Sequence, residues 1–178
     1  MKKIVLLTCI LALAMQAYSQ SLRSESGYVR FFSSAMLEDI TAKNTKATGV
    51  FNPVSGEVAF LIPISEFEFR KSLMKEHFNE NYLESDKFPE AYFRGKISGY
   101  TPGNPQSNAV AEGDLTIHGV TKPVKIQGTI AEKGGRIEMQ AVFKVLLKDY
   151  NVDIPRLMFQ NIAEEVEVTI KFEFKNQN

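Results

Sequence analysis

Residues 165–175 read EVEVTIKFEFK, and this alternation of apolar and polar residues decides the fold class. Every second side chain from Val166 to Phe174 is apolar, and the side chains between them are Glu, Thr or Lys. Only an extended strand places alternate residues on the same side of the chain. The stretch therefore predicts a half-buried β-strand.

The same period of two recurs upstream of this strand. It is clear over residues 136–147 and 124–130. Weaker patterns predict five further strands, at 28–33, 42–52, 57–64, 91–100 and 110–118. Because the separating segments are mostly short and rich in Gly, Pro and Asn, we expect an antiparallel meander of about eight strands. Residues around 67–83 show helical spacing instead and predict one helix in a connection.

Eight antiparallel strands can form a sandwich or a closed barrel. Closure removes the exposed sheet edges that invite aggregation. An eight-stranded barrel is wide enough either to fill with its own side chains or to hold one small ligand. Periodicity alone does not choose among these arrangements.

The N-terminus has the three parts of a secretory signal peptide. A basic pair at residues 2–3 precedes an apolar run over 4–15, and small residues lie just before Gln20. The apolar run is too short to span a membrane stably. We therefore expect residues 1–19 to be a signal peptide and 20–178 to form one exported domain, periplasmic or secreted.

Cys9, the only cysteine, lies in the middle of the apolar run. A lipoprotein processed just before Cys9 would have a very short apolar region, so cleavage between Ser19 and Gln20 is the favoured prediction. The remaining chain then has 19 basic and 21 acidic residues, which gives no electrostatic case for a nucleic-acid partner. Nothing in the sequence specifies an oligomeric state.

Three short stretches resemble a known family. Residues 113–124 read GDLTIHGVTKPV, residues 84–93 read ESDKFPEAYF, and residues 148–155 read KDYNVDIP. Together they resemble the YceI-like family of exported lipid-binding proteins, over about residues 25–174. The resemblance implies an eight-stranded, lipocalin-like antiparallel barrel that binds a long polyisoprenoid or similar chain. The glycine of the family's D-Y-G loop is Asn151 here, and Asn adopts a left-handed conformation more readily than most residues.

The resemblance and the alternating faces together predict an apolar lining. The predicted lining residues are Phe93, Ile117, Phe143, Val145, Ile170 and Phe172. Four apolar residues that precede the last strand are expected to fold over the opening as a lid: Leu157, Met158, Phe159 and Ile162. The expected partner is an apolar, lipid-like molecule with a polyisoprenoid, quinone or fatty chain.

Catalytic and metal-binding patterns are missing from the sequence. Its two histidines, His77 and His118, are not spaced as metal ligands, and we interpret both as structural. We therefore expect no enzyme activity, no catalytic residues, no metal and no cofactor other than a bound isoprenoid-type lipid. The alternative function is an exported accessory or stress protein whose filled barrel is a docking module for another protein. A hollow interior would favour the carrier, and a filled one the docking module.

Overall fold

The structure, a computed structural model, describes residues 21–34, 39–154 and 163–175. The predicted signal peptide lies outside these residues. Strands account for most of the described chain: β1 Leu22–Ser33, β2 Ile40–Asn44, β3 Thr48–Phe51, β4 Glu57–Pro63, β5 Glu68–Phe69, β6 Glu90–Ser98, β7 Ser107–Ile117, β8 Val120–Lys133, β9 Arg136–Leu146 and β10 Glu165–Lys175. Within these described residues there is one α-helix, α1 Ser72–His77, which continues into a π-helical turn at Phe78–Tyr82.

The strands form a closed antiparallel barrel. Neighbouring strands pair in the order β10–β9–β8–β7–β6–β4–β3–β1, and β10 pairs back with β1 to close the ring. β2 continues the position of β3, because β1 pairs with β3 near one end and with β2 near the other. The barrel thus has eight strand positions in meander order, which confirms the predicted fold class.

The predicted strand over 42–52 is interrupted, and in this respect the prediction was wrong. The backbone leaves the ladder between β2 and β3, where the fully buried Asn44 uses its amide group locally. Its Nδ2 donates to the carbonyl oxygen of Pro63 at 2.7 Å, and its Oδ1 accepts from the backbone N–H of Lys46 at 2.7 Å. Asparagine side chains compete with ladder bonds in this way, and here the competition bends the strand.

Two tight turns fix the register of the long hairpins. His118 and Gly119, between β7 and β8, both have positive φ angles of 50° and 73°. Gly134 and Gly135, between β8 and β9, have φ angles of 59° and 74°. Two consecutive positive φ angles are typical of the type I′ turn, whose twist matches that of paired strands.

The helix is shorter than predicted at its N-terminal side. Helical structure covers 72–82, whereas residues 67–71 lie outside it. Residues Glu68 and Phe69 instead pair with Lys43 and Ala42 of β2. These ladder bonds satisfy backbone groups that a helix would have used, so the pairing overrides the helical spacing. In the part of the chain that the structure describes, no helix has the length and apolar character to cross a membrane.

One end of the barrel is tightly packed. Phe51, Ile137 and Phe174 are 0 % exposed there. The Phe51 ring lies 5.9 Å from that of Phe174 and 5.6 Å from that of Tyr100, between ring centroids. Burial of this kind supplies most of the stability of a domain without disulfides. We call this the closed end, and the opposite end, where the long connections lie, the mouth.

Candidate functional site

The barrel is hollow between its closed end and its mouth. It encloses a cavity of about 600 Å³. This volume is within the range of about 300–1,000 Å³ that is usual for small-molecule sites. Leu73 of α1 lines the cavity and is 58 % exposed, so the cavity reaches the surface at the mouth.

The structure places all six predicted lining residues on the cavity wall: Phe93, Ile117, Phe143, Val145, Ile170 and Phe172. They come from four strands and share one orientation, because alternate residues of each strand point inward. Phe172 is almost completely buried at the floor, whereas Phe143 and Ile170 are only partly buried and face the hollow. Their contact with a ligand is still a prediction.

The floor of the cavity is aromatic. The ring centroids of Phe60 and Phe172 are 4.2 Å apart, and those of Phe60 and Phe93 are 6.3 Å apart. The cavity wall continues past Phe93 along β6, to Ile97.

Four phenylalanines form an aromatic cluster at the mouth, which the sequence analysis did not identify. Phe31 of β1 lies within 5.5–5.8 Å of Phe67, Phe69 and Phe78, measured between ring centroids. All four rings line the cavity. Phe67, Phe69 and Phe78 belong to the connection between β4 and β6, which the sequence pattern predicted to be a helix. The pairing of β5 with β2 brings this connection to Phe31. This side of the mouth is thus aromatic.

The wall between β8 and β9 is completed by a loop. These two strands pair only from Gly128 and Ala141 to the hairpin turn, so their halves nearer the mouth diverge. The segment after β9 contacts β8, and its buried Tyr150 and Val152 line the cavity. Asn151, between them, has the predicted left-handed conformation, with φ of 54°.

The predicted lid residues Leu157, Met158, Phe159 and Ile162 lie outside the described residues. The two residues that follow their segment are hydrogen-bonded at the mouth. The N–H of Leu147 donates to the carbonyl oxygen of Glu164 at 2.9 Å, and the N–H of Ala163 donates to Oγ of Ser33 at 2.9 Å.

Few polar side chains reach the cavity wall. Near the mouth they are Lys71, His77 and Tyr82, on or beside α1, together with Ser33 at the end of β1 and Tyr150 after β9. Burial raises the pKa of Tyr82, so its hydroxyl stays neutral and can donate a hydrogen bond. Among the described lining residues there is no Asp or Glu. The described residues also contain no group of three or more His, Cys, Asp or Glu that could hold a metal ion.

His118 connects three segments outside the cavity. Its Nε2 lies 3.0 Å from Oε2 of Glu84, and its Nδ1 lies 3.2 Å from the carbonyl oxygen of Tyr150. Phe88 packs edge-on against the ring, with centroids 4.5 Å apart. Hydrogen bonds from Lys87 and then from His118 hold the pKa of Glu84 below its usual value.

Comparison with known proteins gives one consistent result. A family model described as the YceI-like domain matches residues 21–174. A UPF0312 protein of Photorhabdus laumondii is 29% identical over 107 residues, which cover 56% of this chain and 54% of that protein. The chain thus spans about half the length of this curated relative.

Two solved structures share the architecture. A polyisoprenoid binding domain from Saccharophagus degradans, implicated in plant cell wall breakdown, superposes with a TM-score of 0.76 at 14% identity, covering 89% of this chain and 99% of that one. BcnA of Burkholderia cenocepacia gives a TM-score of 0.70 at 19% identity, covering 83% and 95%. At these identities the likeness shows a common fold.

Proposed function

Because this chain belongs to the YceI-like domain family, we propose that its barrel binds one molecule with a long apolar chain. The observation that carries the proposal is the cavity of about 600 Å³, lined almost entirely by aliphatic and aromatic side chains. A ligand chain in this cavity gains about 25 cal/mol for each Å² of apolar surface that leaves water. Polyisoprenoid, quinone and fatty chains all meet this requirement.

The hollow interior supports a carrier over a docking module. A protein whose surface alone recognises a partner has no use for an unfilled core, because side chains that lack neighbours lose dispersion contacts. At the closed end of this barrel, large side chains fill the interior completely. The same chain leaves the interior unfilled only nearer the mouth. The polyisoprenoid-binding neighbour adds a second argument, since it binds such a chain in the same architecture.

We propose further that the protein is exported, to the periplasm or beyond, and acts without catalysis. Export is supported by the signal-peptide pattern of residues 1–19. A non-enzymatic role is supported by the membership of a binding-domain family and by the apolar chemistry of the wall. Apolar surface selects chain length and width and supplies no group for acid–base or nucleophilic chemistry.

Native mass spectrometry of protein purified from its own host tests the proposed function. The expected result is a population whose mass exceeds that of the processed chain by one lipid, recovered on organic extraction as a polyisoprenoid, quinone or fatty chain. A single lipid-free mass from gently purified protein, together with no uptake of added lipid, would contradict the proposal.

A further inference from the structure

We propose that the ligand chain enters and leaves the cavity through an opening in the side of the barrel, between β8 and β9, and not through the mouth. This inference rests on the proposed function, because it assigns the route by which the same cavity is loaded. We call the opening the side window. It is defined by four cavity-lining residues at the point where the two strands separate: Ile126, Thr129, Gln140 and Phe143.

The ladder between β8 and β9 ends in the middle of the barrel wall. Gly128 and Ala141 form its last pair on the side of the mouth. Beyond this point β8 stays paired with β7, and β9 stays paired with β10, so both strands continue toward the mouth. Among the described residues, no strand pairing joins 120–127 of β8 to 142–146 of β9. The wall therefore has a gap with two unpaired strand edges.

The inward face of β9 is more exposed in the middle than toward either end. Met139, nearer the closed end, is 4 % exposed, and Val145, nearer the mouth, is 5 % exposed. Ala141 and Phe143 lie between them on the same face and are only partly buried. The ladder completes the wall nearer the closed end, and the loop after β9 completes it nearer the mouth. The side window is the part of the gap that remains between them.

Two residues of the outer face also reach the cavity. Thr129 and Gln140 form a cross-strand pair. Alternation places this pair on the opposite face of the sheet from the inward Ile130 and Met139. Both residues of the pair nevertheless line the cavity, and Gln140 is exposed. The cavity therefore reaches the outer surface through the wall at this point, as it does beside Leu73 at the mouth.

Widening the side window breaks no ladder hydrogen bond between the described parts of β8 and β9. Regions with few such bonds open at a low cost in free energy. A chain at the mouth instead moves past the aromatic cluster, in which the ring centroid of Phe78 lies 5.0 Å from that of Phe69 and 5.4 Å from that of Phe67. Separating packed rings loses dispersion contacts. The side window is thus the route that needs less rearrangement.

Stopped-flow kinetics of lipid uptake and release test the inference. The probe is cis-parinaric acid, a fatty acid whose fluorescence rises in apolar surroundings, added to delipidated protein and then displaced by excess oleate. Gln140→Trp enlarges a side chain at the rim of the side window. We expect both rates to fall about tenfold, which corresponds to about 1.4 kcal/mol of added barrier. Kd should stay unchanged, because an obstructed portal slows entry and exit alike.

Matched variants assign the effect to the side window. Thr129→Trp, on the opposite edge, should slow both rates as Gln140→Trp does. Asn108→Trp is the control, because Asn108 pairs with Thr129 from β7, is exposed and does not line the cavity. Leu73→Trp places the same ring at the mouth, and this variant and the control should both keep the native rates. The native chain has no Trp, so every variant adds a single one. Thermal melting verifies that each variant is folded.

The possible outcomes separate this inference from the proposed function. Slowing in Leu73→Trp that equals or exceeds that in Gln140→Trp would place entry at the mouth and overturn the inference. Native rates in both window variants would overturn it too, as would a weakened Kd with an unchanged uptake rate, which indicates a direct ligand contact. Each of these results leaves chain binding standing. Failure of the native protein to bind either fatty acid would overturn the proposed function, and the inference with it.

Discussion

The Nε2 atom of His118 lies 3.0 Å from Oε2 of Glu84, while Nδ1 of the same ring lies 3.2 Å from the carbonyl oxygen of Tyr150. Both neighbours are acceptors, and each ring nitrogen lies within hydrogen-bonding distance of one of them. Through this ring, the turn between β7 and β8 holds the connection before β6 and the loop after β9 at the mouth.

Removal of the His118 ring should destabilise the protein. We expect His118→Asn to lower the free energy of unfolding by about 1–3 kcal/mol, the usual loss when a largely buried hydrogen-bonding group is removed. Asn tolerates the positive φ of this position, so the variant tests the ring rather than the backbone. His77→Asn removes a partly buried ring that makes no hydrogen bond to the described residues, and it should lower the free energy of unfolding by clearly less than His118→Asn does. Urea unfolding of both variants measures the two losses of stability. Equal losses would contradict the structural role of the His118 ring.

Glu84 should make stability depend on pH in the acidic range. Its folded pKa is lowered, chiefly by Lys87 and then by His118, from a usual value of 4.5. A lowered folded pKa means that the contribution is complete above the unfolded pKa and is lost as pH falls through the folded pKa. Between about pH 5 and pH 3, the free energy of unfolding should therefore fall less steeply in Glu84→Gln than in the native protein. Glu80→Gln, exposed on the same connection, is the control and should keep the native dependence of stability on pH. If Glu84→Gln also kept the native dependence, the contacts of Glu84 with Lys87 and His118 would be contradicted.

The two ends of the barrel should respond differently to truncation. Phe174→Ala removes a fully buried ring from the packed closed end and should cost about 3–5 kcal/mol. Phe143→Ala should cost less than about 2 kcal/mol, because that ring faces the hollow and is only partly buried. Denaturant unfolding of the lipid-free protein measures both. Equal losses would indicate that the interior is filled in solution.

Export should be accompanied by cleavage. We expect the mature protein to begin at Gln20, because small residues precede that position in the signal-peptide pattern. Intact-mass measurement on exported protein gives the answer directly. A mass that includes a diacylglycerol on Cys9 would instead show a lipoprotein held at a membrane.

The sequence predicted those parts of the fold that strict periodicity controls. The strands expected at 136–147 and 165–175 are observed at Arg136–Leu146 and Glu165–Lys175. The first half of β1 was missed, since its residues 23–26 are polar or charged and its pairing has an irregularity between Ser24 and Ser26. There the neighbouring strands, rather than an apolar face, specify the extended conformation.

The site was predictable where it lies on strands and less so at the mouth. Alternation alone is enough to place Phe143 and Phe172 on the apolar face of their strands. The cluster of Phe31 with Phe67, Phe69 and Phe78 depends on the pairing of β5 with β2. These two short strands are far apart in sequence, and no local pattern encodes their pairing. The contact of His118 with Glu84 likewise requires two connections to meet, and a single histidine in a turn gives no sign of it.

A cavity-filling pair of variants tests the central claim most directly. Ala141→Phe places a ring inside the hollow, whereas Val142→Phe places the same ring on the outer face, where Val142 is 58 % exposed. Affinity should fall about tenfold for each ~55 Å² of ligand surface that the new ring keeps in water, at about 25 cal/mol per Å². Native mass spectrometry of the three proteins, each purified from the host, should find the lipid mass on the native protein and on Val142→Phe, and little or none on Ala141→Phe. Equal lipid occupancy in all three would place the chain outside the barrel and contradict the account.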